Sequence, residues 1–238
     1  MKVDILAIGA HPDDVELSCA GTLAKEIAAG KKVAILDLTQ GELGTRGSAA
    51  VRAQEAEKAA ALLGVHARYN AGFSDGFFTN DRKHQEALIA YIRLLQPEVV
   101  LCNATEDRHP DHGRAAKLVA DSCFLSGLVK VSSNFEGNSQ SAWRPKQLYH
   151  YVQWNQAQPD FVVDISAHME TKLKVVQAYG SQFYDPNSKE PKTPISTANF
   201  LDSIKYRAAD LGRFIGTDYA EGFTTSRLIG VDRITDLL

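Results

Sequence analysis

Apolar residues along the chain gather in short runs that alternate with longer stretches of helical periodicity. Val3-Asp4-Ile5-Leu6-Ala7-Ile8 stops at Gly9 and predicts a buried strand. From Val15 to Ala29, apolar Ala20, Leu23, Ala24 and Ile27 share one helical face, and Gly30 supplies a stop. Val33 to Leu38 is a second strand, so the chain opens with a βαβ unit, which implies parallel pairing and a right-handed crossover. The same alternation continues with an alanine-rich helix over 49–63 ended by Gly64, a short strand at Arg68-Tyr69-Asn70, and a helix over 83–95 before Pro97. A strand over 99–102 and a helix starting near His112 follow. Farther on, 147–153 and 161–165 read as strands, and 169–179 and 199–215 as helices. Segment 184–194 holds three prolines and reads as a loop, while 131–143, rich in Ser, Asn and Gly, reads as an excursion serving as a lid or an assembly contact. The pattern predicts one α/β domain spanning 1–238, Rossmann-like, with a mostly parallel sheet and helices on both faces.

Composition narrows the possible partners. At 238 residues the chain can bury one substantial core, and its net charge of -3 offers no field for nucleic acid or an anionic membrane. No apolar run approaches the roughly 20 residues that span a bilayer. Cys19, Cys102 and Cys123 are too far apart for a CxxC pair and lie in apolar segments, so they read as buried thiols in a reducing cytoplasm. No signal peptide is visible ahead of the first strand, and a cytoplasmic homo-oligomer is expected.

Two strand ends carry chemistry. The first releases Ala10-His11-Pro12-Asp13-Asp14 and the second Asn103-Ala104-Thr105-Glu106-Asp107-Arg108-His109-Pro110-Asp111-His112, each opening a helix. Ligands of open α/β sheets bind at that end of the strands, and imidazole and carboxylate are ordinary ligands of a divalent metal. Asp13 or Asp14 could instead cap the helix, and the histidines could be solvated turn residues. Two loops of matching design favour the metal site. The glycine-containing loop over 39–48 is no phosphate-binding loop; it is either a pocket wall with Glu42, Thr45 and Arg46 facing substrate, or a mobile connection. Arg52 and Glu55, three apart, could form a surface ion pair. His66, His84, His150 and His168 belong to no ligand-like cluster.

The pairing of Ala10-His11-Pro12-Asp13-Asp14 with His109-Pro110-Asp111-His112 resembles the PIG-L/LmbE-like zinc deacetylase superfamily. The loop Gly41-Glu42-Leu43-Gly44-Thr45-Arg46-Gly47 and the tail 213–223 are similar to its bacillithiol-biosynthesis branch, which acts on N-acetylglucosaminyl-malate. The resemblance implies a small-molecule glycoside substrate whose N-acetyl group leaves as acetate. It further implies His11, Asp14 and His112 as ligands of zinc, or of iron(II) on the same set, although the residues alone do not decide between Asp13 and Asp14. Asp13 is then left as general base. His109 would stabilise the oxyanion or protonate the leaving amine, and Asp111 would orient His109 or His112, or cap the helix. Arg52 at the pocket mouth would fork onto a substrate carboxylate, and Arg108 would contact the same acidic group or stay solvated. Asp75 would bond sugar hydroxyls or shape its turn. A metal-dependent hydrolase of another bond lacks the extra carboxylates of a two-metal site, and a nucleotide-binding module lacks GxGxxG in its first turn.

Overall fold

In the computed structural model of the chain, which describes residues 1–236, the apolar runs form strands of one seven-stranded sheet. The first half alternates strictly: β1 (Ile5–Gly9), α1 (Asp14–Ala28), β2 (Val33–Thr39), α2 (Ala49–Leu63), β3 (Ala67–Phe73), α3 (Arg82–Leu95), β4 (Val99–Cys102) and α4 (Pro110–Ser126). A two-stranded hairpin follows, β5 (Asn134–Phe135) with β6 (Asn138–Ser139). The second half contains β7 (Gln147–Tyr151), β8 (Phe161–Asp164), α5 (Met169–Val176), α6 (Phe200–Gly212) and β9 (Ala220–Thr224). The sheet order is β3-β2-β1-β4-β7-β9-β8. All pairs from β3 to β7 are parallel, and β9 runs antiparallel to both of its neighbours.

β1 and β2 are buried along their whole length, as expected of parallel strands covered on both faces. Their alternating side chains divide between two cores. Ile5, Ala7, Val33 and Ile35 pack with residues of α1, α2 and α5, whereas Leu6, Ile8, Ala34 and Leu36 pack with Leu88, Ile92, Leu118 and Val119 of α3 and α4. Local chemistry sets the helix ends. Ser48 caps α2 by accepting from the Val51 amide, and α2 ends at Gly64, whose φ of 79° suits glycine. Among the described residues, no helix is long and apolar enough to cross a membrane.

The expected strand and helix positions hold, with the two last long helices shorter than their patterns suggested. Two expectations change. Segment 131–143 is no lid: the Trp143 indole donates to the Pro97 carbonyl, ahead of β4 and so at the end of the sheet opposite the strand ends that carry His11 and His109. Buried Arg93 fixes the start of this segment through the Val131 carbonyl and the Ser133 hydroxyl. The other change is β9, which the sequence pattern did not announce because Glu221 and Gly222 are poor strand residues.

Glu221 is there for α1. That helix is broken at Cys19 (φ -137°, ψ 15°). The buried Glu221 carboxylate accepts from the amides of Gly21 (3.0 Å) and Thr22 (2.7 Å) just beyond the break. Lys172 of α5 neutralises it at 2.5 Å, itself 2% exposed. Removing one partner strands a buried charge, so Lys172→Ala is expected to cost about 3–5 kcal/mol. A lowered urea midpoint at unchanged slope would show it, whereas a loss below about 1 kcal/mol would mark the pair as no stronger than a surface bridge.

Candidate active site

The strand order reverses between β1 and β4, and the two histidine-bearing loops leave the sheet side by side at that point. Gly9 ends β1 where a Cβ would stand 3.0 Å from the His11 carbonyl and 3.2 Å from the Asp14 Cβ, so the turn closes only on glycine. Asp13 carries φ 110°, a conformation that L side chains rarely adopt, immediately before α1 begins. On the second loop, the His109 Nδ1 accepts from the Asp111 amide at the start of α4 (3.3 Å).

Asp14 lies between two imidazoles. Its Oδ2 is 3.5 Å from His11 Nδ1, and its Oδ1 is 3.2 Å from His112 Nε2. The remaining ring nitrogens are occupied: His11 Nε2 by Asp75 (3.0 Å) and Asp111 (3.3 Å), and His112 Nδ1 by Asp107 (2.5 Å). A carboxylate on one imidazole nitrogen fixes the tautomer that leaves the other nitrogen as a metal ligand. The donor set of two imidazole nitrogens and one carboxylate, with that outer support, fits a zinc site holding three protein ligands and an open position. His109 also brings a ring nitrogen within 4.8 Å of ring nitrogens on His11 and His112. Because its Nδ1 accepts from an amide, its proton belongs on Nε2, which makes that atom a donor rather than a ligand.

Burial and neighbouring charges set the protonation states. Burial pushes the Asp14 carboxyl up, but the charges and hydrogen bonds of His112 and His11 outweigh it and hold it well below the usual range. Burial lowers His112, yet Asp14 and Asp107 raise it to about 9; a bound cation would occupy the position of that proton. Asp13 behaves oppositely: burial, opposed by Arg52 and reinforced by Asp14, pushes its carboxyl up to about 7. His109 is lowered by burial and by the two other histidines.

The arginines divide. Arg52 lines the cleft and is 4% exposed, with a guanidinium nitrogen 3.0 Å from Asp13 and also donating to the Pro12 carbonyl. A Cβ on Gly41 (φ 64°) would overlap that guanidinium, so only glycine lets the loop pass over it. The surface pair with Glu55 does not form, since Glu55 accepts from the Ser181 amide and hydroxyl instead. Arg46 is no substrate contact: it points away from the cleft and binds the carbonyls of Ser181 and Phe183 and the Ser188 hydroxyl. Arg108 is exposed at the cleft, its guanidinium 4.4 Å over the Trp154 ring.

Two carboxylates take roles other than those expected. Asp75 lines the cleft with both oxygens engaged, one on His11 and one on the Leu43 amide (2.9 Å); burial pushes its carboxyl up, but these partners outweigh it and hold it down to about 2. Asp111 holds His109 through its backbone amide, while its carboxylate goes to His11 instead of His112 and also accepts from the Gly76 amide (2.8 Å). Asp107, Asn103 and Gln153 escaped the sequence reading. The nearest signal was the position of Asp107 five residues before His112, in the same loop.

The cleft above these groups measures about 1760 Å³. It runs from His11 and His112 to a groove between segment 152–159 and α6, lined there by Trp154, Phe161, Phe200, Tyr206 and Phe214.

The doubly wound sheet brings the His11/Asp14/His112 set to its switch point, a donor set suited to a metal-assisted hydrolase. Residues 6–123 match the family described as PIG-L, GlcNAc-PI de-N-acetylase. Diacetylchitobiose deacetylase of Thermococcus kodakarensis is 30% identical over 190 residues, 75% of this chain and 70% of that protein. Among solved structures, a conserved protein of Thermus thermophilus superposes with a TM-score of 0.85 at 34% identity, over 97% of this chain and 98% of that one. The N,N'-diacetylchitobiose deacetylase of Pyrococcus horikoshii, complexed with its inhibitor, gives 0.77 at 27% identity, over 99% and 88%. The chain belongs to the PIG-L family of deacetylases. It is an amide-hydrolysing enzyme.

Proposed function

We propose that the chain is a zinc-dependent N-deacetylase of an N-acetylglucosamine conjugate, with N-acetylglucosaminyl-malate of bacillithiol biosynthesis as substrate and glucosaminyl-malate and acetate as products. The observation that carries the reading is the pairing of a supported His11/Asp14/His112 donor set with a buried carboxylate, Asp13, left beside it and pushed up to about 7. When bound, zinc would polarise the acetamide carbonyl and activate the attacking water, and iron(II) would fit the same donors. Asp13 takes the proton of the attacking water, and Arg52 keeps the Asp13 side chain in place. His109, carrying its proton on Nε2, hydrogen-bonds the developing oxyanion, and the proton that Asp13 took from the water passes to the leaving amine.

Recognition of an acidic aglycone falls to Arg108, whose guanidinium is exposed beside the cleft, whereas Arg52 is already committed to Asp13. A second reading, a longer neutral aglycone such as another sugar, is favoured by a cleft larger than the ~300–1,000 Å³ of ordinary small-ligand sites. Acetate release from N-acetylglucosamine, its malate conjugate and diacetylchitobiose separates the two. On the malate reading, Arg108→Ala raises KM about 10-fold or more for the malate conjugate, the value of a charge-assisted bond, and leaves plain N-acetylglucosamine unchanged. Equal effects on both substrates, or a preference for chitobiose, would support the longer aglycone instead.

A further inference from the structure

Gln153 has no part in the steps above, yet its side chain reaches the metal-binding face. We propose that Gln153 is a positioning residue for the metal, its amide nitrogen holding the Asp14 carboxylate in the pose that binds the ion. The proposal rests on the reading of His11, Asp14 and His112 as ligands.

The orientation of the amide follows from a backbone anchor. The Ala10 amide can only donate, and it lies 2.9 Å from Asn103 Oδ1. The Asn103 nitrogen must therefore face the other way, where it donates to Asp14 Oδ2 (3.0 Å) and to Gln153 Oε1 (3.0 Å). Gln153 consequently turns its nitrogen to Asp14 Oδ1 (2.6 Å) and toward His112 Nε2 (3.4 Å). Since His112 gives its Nδ1 proton to Asp107, Nε2 carries the lone pair intended for the metal. One Gln153 N–H thus holds the Asp14 carboxylate in place, while the longer contact to His112 is one that a bound ion would replace.

The backbone of Gln153 is itself pinned. Arg207 of α6 donates to the Gln153 carbonyl and to the Leu17 carbonyl of α1. Asn103, Gln153 and Asp14 are all buried, so water cannot replace a lost partner cheaply. Without the amide, Asp14 Oδ1 loses its 2.6 Å donor, and the carboxylate keeps only Asn103 and the His11 amide as protein donors on Oδ2 beside His112.

Zinc affinity of the metal-free protein, read by competition with a chromogenic chelator, provides the test. Gln153→Met keeps the length and volume of the side chain while removing its donors, and should weaken zinc binding about 10–100-fold, the usual effect of losing an outer-shell partner. The metal-free Tm should move by no more than about 4 °C, and KM at saturating zinc should not change. A merely structural glutamine would lower the Tm and leave zinc affinity within about two-fold of the parent, and that result would overturn the proposal. If Gln153→Met does not fold, Arg207→Lys, which loosens the backbone of Gln153 together with the tie to Leu17, should weaken zinc binding in the same direction; unchanged affinity there would overturn it equally. A parent protein that binds no zinc would refute the ligand assignment itself, whereas a parent and a variant that bind zinc alike would refute only the role of Gln153.

Discussion

Replacing Asp13 with asparagine is expected to lower kcat by about 10²–10⁴-fold while zinc remains bound. The amide fills the same space and can still bond Arg52, but it cannot accept a proton from the attacking water. The buried, strained position of Asp13 explains why it is suited to the task. With a φ of 110°, Asp13 lines the cleft beside Arg52, and burial raises its pKa to about 7, where a general base is most effective. The base acts in its ionised form, so activity should fall as pH drops through that pKa. A cation bound by His11, Asp14 and His112 would lower the value, which would place the acidic limb below pH 7. In the Asp13→Asn variant this limb should flatten, and an unchanged limb would assign it to another group titrating in the same coupled cluster.

Asp14→Ala should act on the metal first. Asp14 lies within 3.5 Å of both His11 and His112 and is the only one of the three proposed ligands that touches the other two. Its removal leaves two imidazoles with no shared anion, so zinc affinity should fall further than the 10–100-fold expected for an outer-shell partner, and turnover should fall with it. Excess zinc should restore part of the activity of Asp14→Ala and none of that of Asp13→Asn.

The adjacent carboxylates also show what a sequence discloses and what only packing does. β1, β2 and β4 were legible because parallel strands buried on both faces are continuous apolar runs, and the histidine loops because both follow such a run. Position in the motif, however, does not say which nitrogen of an imidazole meets which carboxylate. Asp75 reads in the chain as a sugar contact or turn residue, and Asp111 as a partner of His109 or His112 or a helix cap, yet both carboxylates converge on His11 from separate segments once the sheet closes. Arg46 misled for a similar reason, since the carbonyls that hold it lie about 140 residues away. Gln153 read as the end of a strand, and its importance emerges only when Asn103 and Asp14 are seen beside it. β9 stayed hidden because Glu221 serves a helix break rather than the strand it sits in.

The central claim is that Asp14 binds the metal and Asp13 works on the water. Zinc content and kcat measured on the same preparations of the parent, Asp13→Asn and Asp14→Ala test it most directly. The account predicts about one zinc per chain in the parent and in Asp13→Asn, with little turnover in the latter, and loss of both zinc and turnover in Asp14→Ala. An Asp13→Asn protein that loses its zinc beside an Asp14→Ala protein that keeps it would contradict the account and reverse the two roles.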